Sequence, residues 1–224
     1  MGERDDLLVL LGQDTGRFSA ICRASRGGKQ SGLLEPPVEL EASFVEGGSL
    51  DTLRQPSLGR AFATLRGRLD SLLTAGFLCR LFAAALPERD RVDGAYCLLG
   101  ETLQALSEGA YPTTVALVAQ NGLLGELGVG PALDGCVGCG SEVVAGFSSR
   151  EGGLLCSKCY RGHGFAVSAE VVCALRSVEN GGAFSSLPAR VLREVGRVYK
   201  HQLKDHLDLP EGLFRPVLTQ ERTV

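Results

Sequence analysis

Nothing in the 224-residue chain approaches the ~18 consecutive apolar residues that cross a bilayer as a helix. The start, Met-Gly-Glu-Arg-Asp-Asp, lacks the apolar stretch of a secretory signal. No membrane anchor is therefore expected, and the chain reads as a soluble cytoplasmic protein. Bulk positive charge is missing too: the net charge is -3, so composition alone does not announce a nucleic-acid binder. Catalytic signatures are equally scarce. There is no G-x-x-x-x-G-K-[ST] phosphate loop, no G-x-S-x-G and no H-E-x-x-H. Gly27-Gly28-Lys29-Gln30-Ser31 imitates a phosphate loop only superficially, because the preceding glycine spacing is wrong. His163, His201 and His206 stand in no triad-like relation to a cysteine or serine. The expectation is a protein that is not an enzyme and takes no small-molecule substrate.

What is present suffices for a folded body. The hydrophobic fraction of 44% is ordinary for a globular chain, and the length suits one or two domains. The eight cysteines divide into two groups. Cys22, Cys79, Cys97 and Cys173 sit singly in apolar segments and are expected to be small core residues. The other four form Cys136-x2-Cys139, sixteen residues, then Cys156-x2-Cys159, within the spacing of a zinc site. Two residues between cysteines let both sulfurs of one turn reach a single ion at ~2.3 Å. Four thiolates leave no open coordination position, so one structural Zn2+ is expected on Cys136, Cys139, Cys156 and Cys159. Two weaker alternatives are a disulfide or redox pair, and His163 replacing a cysteine as ligand.

Along the chain, the first part reads as β structure. Leu7 to Leu11 and Arg17 to Cys22 flank the turn residues Gln13-Asp14-Thr15-Gly16. Val38, Leu40, Ala42 and Phe44 alternate with Glu39, Glu41 and Ser43, and Glu46-Gly47-Gly48 turns the chain into Ser49 to Leu53. That gives four strands, one fewer than a five-stranded barrel needs. Leu58, Phe62, Leu65, Leu69, Leu72 and Gly76 then mark one face of a long helix ending before Pro87. Asp90 is placed to cap a second helix with Tyr96, Leu99, Leu103 and Leu106 inside, and a third is expected from Thr113 to about Leu127. After the cysteines, Ser168 is placed to cap a fourth helix burying Val171, Val172, Leu175 and Val178. Pro188 suits the first turn of a fifth, reaching about Leu209. The expected division is a β domain over 1–56, a helical domain over 57–135 and 161–224, and a zinc-binding insertion over 136–160.

Two basic clusters stand out. Arg17, Arg23, Arg26 and Lys29 occur between Thr15 and Leu34 with no acid among them. Arg193, Arg197, Lys200 and Lys204 fall on one helical stripe, with Val191, Val195, Val198 and Tyr199 opposite. Each cluster reads either as a solvated surface or as a path for a phosphate backbone. Phe18 and Phe44 read as core residues or as stacking platforms, with the alternation favouring burial.

The order of these features resembles the RecO family of bacterial recombination mediators. The resemblance rests on an early Gly-Glu, Thr15-Gly16-Arg17-Phe18-Ser19-Ala20, the basic Arg23-Ala24-Ser25-Arg26, Leu33-Leu34-Glu35-Pro36 and Leu50-Asp51-Thr52-Leu53. It continues through Cys136-x2-Cys139-Gly140, Phe147-Ser148 and Gly152-Gly153-Leu154-Leu155-Cys156-x2-Cys159. It implies an N-terminal OB-fold barrel, an all-helical domain and a zinc-binding insertion. It further implies binding of single- and double-stranded DNA, annealing of complementary strands, and cooperation with RecR and single-strand-binding protein in loading recombinase. Nucleoid association during repair goes with that role. Arg17, Arg23, Arg26 and Lys29 match the family's basic segment and are its expected DNA contacts; the later stripe is secondary. Family members usually carry a further strand before the Gly-Glu segment, so either the barrel lacks its first strand or it closes differently. Two competing readings are a zinc-stabilised protein-interaction scaffold with incidental DNA contact, favoured by the pI of 5.7, and a metalloenzyme.

Overall fold

The computed structural model describes residues 5–23, 34–47, 50–179 and 187–214. Backbone contacts divide the chain into two units, Met1–Gly109 and Ala110–Val224. The four-segment division expected above follows composition along the chain, whereas compactness draws one line between Gly109 and Ala110.

In the first unit, β1 (Asp6–Gly12) and β2 (Gly16–Cys22) form an antiparallel hairpin with Leu10 opposite Phe18. The turn closes at Gly16, whose φ of 68° favours glycine and where a Cβ would run into the Asp90 carbonyl oxygen at 2.2 Å. A second antiparallel pair joins β3 (Leu40–Val45) to β4 (Asp51–Leu58). The pairs meet through parallel contacts of Ala20 with Asp51 and Ile21 with Thr52, giving the order β1-β2-β4-β3. Between Glu41 and Ser43 the partners step from Ser57 to Arg54, so β4 carries an extra residue there. The bulge falls at Gln55, with φ of 46°, immediately before Pro56, which has no N–H for the ladder.

The sheet is curled. Leu8 on one edge strand and Leu40 and Ala42 on the other pack against the same cluster of Cys22, Leu34 and Leu53. Phe18 and Phe44 meet edge to face at 4.9 Å, although β4 lies between their strands. This is the N-terminal β domain of OB type, with four strands among the described residues where the full barrel has five. Phe18 is buried; Phe44 stays 40% exposed.

Downstream, the periodicity identified a helix but not its start or its phase. Leu58 ends β4, a 3-10 turn spans Ala63–Gly67, and α1 runs Leu69–Ala85. Phe62 is left-handed (φ 43°) and Arg68 extended, so one continuous helix is impossible. The buried face of α1 carries Ala75, Phe77, Leu78, Leu81 and Phe82, while Leu69 is 60% exposed. The segment is apolar nearly all round, so its packing partners chose the face. α2 (Ala95–Ser107) starts at Gly94, later than a cap at Asp90 would put it, and buries Ala95, Leu103 and Leu106. Between the sheet's inner face and α1–α2 lies a cavity of about 550 Å³, lined by Leu8, Leu10, Leu40, Phe82 and Leu99 among others.

The second unit holds α3 (Pro112–Glu126), a small sheet, α4 (Ala169–Glu179) and α5 (Ala189–His206). Pro112 opens α3, where its missing N–H costs nothing. Ser168 Oγ accepts the Val171 N–H at 3.4 Å, as expected of its cap, and α4 buries Val171, Val172, Leu175 and Val178. α5 buries Val191, Val195, Val198 and Tyr199 against α3 and α4. Cys22 is core, but Cys97 and Cys173 are exposed, correcting the expectation of burial: they lie on the outward faces of α2 and α4. Among the described residues, no helix is long and apolar enough to cross a membrane.

Candidate metal centre and nucleic-acid interface

The cysteine segment folds as two equivalent turns on a short ribbon. β5 (Gly146–Ser148) pairs antiparallel with β6 (Gly153–Leu155) on one side and β7 (Phe165–Ala166) on the other. In the first turn, the Cys136 carbonyl accepts N–H bonds from Cys139 (3.3 Å) and Gly140 (2.7 Å). In the second, the Cys156 carbonyl accepts them from Cys159 (3.2 Å) and Tyr160 (2.9 Å). The repeated geometry aims both sulfurs of each turn the same way. Gly138 leaves the space this requires: a Cβ there would sit 3.2 Å from Cys159 Sγ.

The result is a cluster in which the Sγ atoms of Cys136, Cys139, Cys156 and Cys159 all lie within 4.8 Å of one another. The Cys139 and Cys156 sulfurs are 3.6 Å apart, too far for a disulfide and close to the ~3.8 Å edge of a tetrahedron with ~2.3 Å bonds. All four are free thiols, and His163 is outside the cluster. Their proton affinities diverge. N–H groups led by that of Cys156 outweigh burial and hold Cys136 down to about 6. Hydrogen bonds to Cys139, Cys156 and Cys136 push Cys159 up to about 12. Four sulfurs in one small volume cannot all be thiolates without a compensating cation. The donor set thus fits a metal ion, for which these four cysteines are the ligands available.

The family model described as "Recombination protein O C terminal" matches residues 66–212. A "DNA repair protein RecO" of Anaeromyxobacter sp. (strain K) is 32% identical over 217 residues, covering 92% of this chain and 85% of that protein. Its namesake in Symbiobacterium thermophilum is 33% identical over 165 residues, covering 70% of this chain and 65% of that protein. One from Bifidobacterium animalis subsp. lactis is 31% identical over 186 residues, 81% of this chain and 78% of its own length.

The chain belongs to the RecO family of DNA repair proteins.

The basic residues singled out in the sequence are unequally placed. Arg17 is turned inward: its Nε donates to the Leu86 carbonyl (2.9 Å), its guanidinium lies 3.7 Å from Glu88, and its carbonyl accepts the Arg89 N–H. Arg23 is exposed at the end of β2, while Arg26 and Lys29 lie outside the described residues. On α5, Arg193, Arg197 and Lys204 are exposed and Lys200 half-exposed, on the side opposite Val191, Val195, Val198 and Tyr199. Two of them cover aromatic rings: Arg197 stands 3.9 Å over Phe165 and Lys200 5.8 Å over Phe214. The sequence reading missed that Phe165 anchors the stripe. Its ring also meets Phe147 and His201, so α5 is seated on the cysteine ribbon. Burial, then the charges of Arg197, Lys200 and Lys204, hold His201 below the usual imidazole value, outweighing Asp205.

Proposed function

We propose that this RecO-family chain is a non-enzymatic mediator of recombinational DNA repair that holds one structural zinc ion. In this reading it binds single- and double-stranded DNA, anneals complementary strands, and works with RecR to help load recombinase onto strands coated by single-strand-binding protein. The observation that carries it is similarity to proteins named DNA repair protein RecO across 92% of the chain. Annealing asks little chemistry of a protein: cations screen the repulsion of two phosphate backbones while the bases stay free to pair. Arg23, Arg26, Lys29 and the α5 stripe of Arg193, Arg197, Lys200 and Lys204 would supply that screening, with Arg17 bracing the strand beside them. Zinc is the metal that a closed set of four soft thiolates suits best, and Cys136, Cys139, Cys156 and Cys159 would hold it with no position left for water. Its role is then to fix the ribbon. Action in the cytoplasm, at the nucleoid during repair, follows from the same reading.

The test is annealing of two complementary oligonucleotides by the purified protein without nucleotide. Acceleration that salt suppresses, and that replacement of Arg23, Arg26 and Lys29 by alanine removes while the fold persists, supports the reading. Failure of the unaltered chain to anneal or bind DNA at low salt rejects it.

A further inference from the structure

The two cysteine turns are chemically unlike. From Asp134 to Ser149 the first turn and its flank carry Asp134 and Glu142 and no Lys or Arg. From Gly152 to Ala169 the second carries Lys158, Arg161 and His163 and no Asp or Glu. Lys158, Arg161 and His163 are all exposed, and neither Lys158 nor Arg161 has an ion-pair partner among the described residues. Tyr160 between them is fixed against Gly146, where a Cβ would come within 2.8 Å of its ring. Gly164, with φ of 106°, brings the loop back onto the Phe147 carbonyl and delivers Phe165 to Arg197 and His201 of α5. Farther along α5, Asp205 bonds Ser149 Oγ and His206 lies 3.1 Å from the Ser149 carbonyl. The ribbon therefore carries its own exposed cations and also seats the helix bearing Arg197, Lys200 and Lys204.

We propose that the second cysteine turn is a phosphate-contact surface for single-stranded DNA, with Lys158 and Arg161 as its anchors beside the α5 stripe. The proposal rests on the DNA-repair reading above and deepens it. Its physical basis is pre-organisation. Lys158 projects from a turn of five residues closed by two backbone hydrogen bonds and, when loaded, by a metal, and Arg161 follows that turn directly after Tyr160. They therefore lose less conformational freedom on binding than cations on a loose loop would. Phosphate contact demands charge in place and no base-reading groups, which is what this turn offers.

The experiment measures binding of a fluorescent thymidine 25-mer across a salt series, for the whole metal-loaded chain and for Lys158→Ala/Arg161→Ala. Each lost phosphate contact lowers the log–log salt slope by ~0.7 on a single strand, so the double variant should lose ~1.4. Lys158→Arg/Arg161→Lys should retain the slope of the unaltered chain. In the unaltered chain, the oligonucleotide should shield Lys158 from amine acetylation read by mass spectrometry. An unchanged slope with unchanged Lys158 labelling overturns the proposal and leaves the repair reading standing. Loss of metal from the alanine variant with an unchanged slope assigns the pair to neutralising the thiolates instead, and also overturns it. No binding by the unaltered chain at low salt removes both.

Discussion

The two units use their arginines in opposite ways. In Met1–Gly109, Arg17 pairs with Glu88, Arg60 with Glu39, Arg66 with Glu35, Arg89 with Asp51 and Arg91 with Asp93. Several of these pairs link elements far apart in sequence: Arg89 joins the α1–α2 loop to the start of β4, and Arg60 joins the end of β4 to the residue before β3. In Ala110–Val224, the one ion pair among the described residues is Arg190 with Glu170. Among the described residues, Arg193, Arg197, Lys200 and Lys204, with Lys158 and Arg161, stand without acidic partners. In the first unit these charged side chains tie loop residues to the ends of the strands. In the second unit the cations of α5 and of the second cysteine turn remain at the surface. The exposed pairs contribute at most ~1 kcal/mol each, so what they supply to the first unit is geometry more than stability, whereas Asp51 of the Arg89 pair is buried.

The comparison can be broken most forcefully at the metal. If the cysteine cluster holds zinc as proposed, removing the ion with a chelator, or replacing Cys136 by Ser, forfeits a binding free energy on the order of 10 kcal/mol. The ribbon over 132–166 should become protease-sensitive while the β1–β4 sheet keeps its hydrogen-exchange protection. Equal loss in both units would mean that the first unit also depends on the ion. Acid should do the same by protonating the ligands, so metal release should rise steadily as pH falls; a colorimetric metal reporter follows it.

A core lesion gives the next largest effect. Phe147→Ala deletes a fully buried ring that touches Phe165, at ~3–5 kcal/mol. Denaturant melts should show the second unit weakened and the first unchanged. In the first unit, pH is the sharper probe. Arg89, then the Gly47 N–H, hold Asp51 below its ordinary 3.8; Arg60, with help from Tyr96, holds Glu39 below 4.5. Both carboxylates are more acidic folded than unfolded. Their stabilisation is thus fully present above those ordinary values and is lost as pH falls below them. Asp51→Asn should flatten the acid limb of the first unit's stability curve; an unaltered limb would show that the Arg89 pair contributes nothing. The smallest effect on folding belongs to Arg193→Ala, within ~0.5 kcal/mol because the side chain is exposed. Its single-strand salt slope should nevertheless fall by ~0.7 if the α5 stripe contacts phosphate.

Legibility followed physical locality. The cysteine spacing placed all four sulfurs, because a C-x2-C turn is closed by bonds within five residues. α4 and α5 were readable at their starts and buried faces, since each has one polar and one apolar side and a Ser or Pro at its start, although α5 ends at His206, short of the expected Leu209. α1 was not: with apolar residues nearly all round, its sequence leaves the phase open, and Leu69 ended outside while Phe77 went in. Arg17 looks like any basic strand residue until Leu86 and Glu88, some 70 positions away, are folded back upon it.

By itself, then, the sequence determined the cysteine quartet, the period of α2, α4 and α5 and the alternation of β3, since these depend on neighbours a few residues apart. Tertiary structure alone decided which cations face solvent, which helix face is buried, and that α5 rests on the cysteine ribbon through Phe165. Those outcomes depend on contacts between distant segments, where burial and charge are shared by groups that no local pattern brings together.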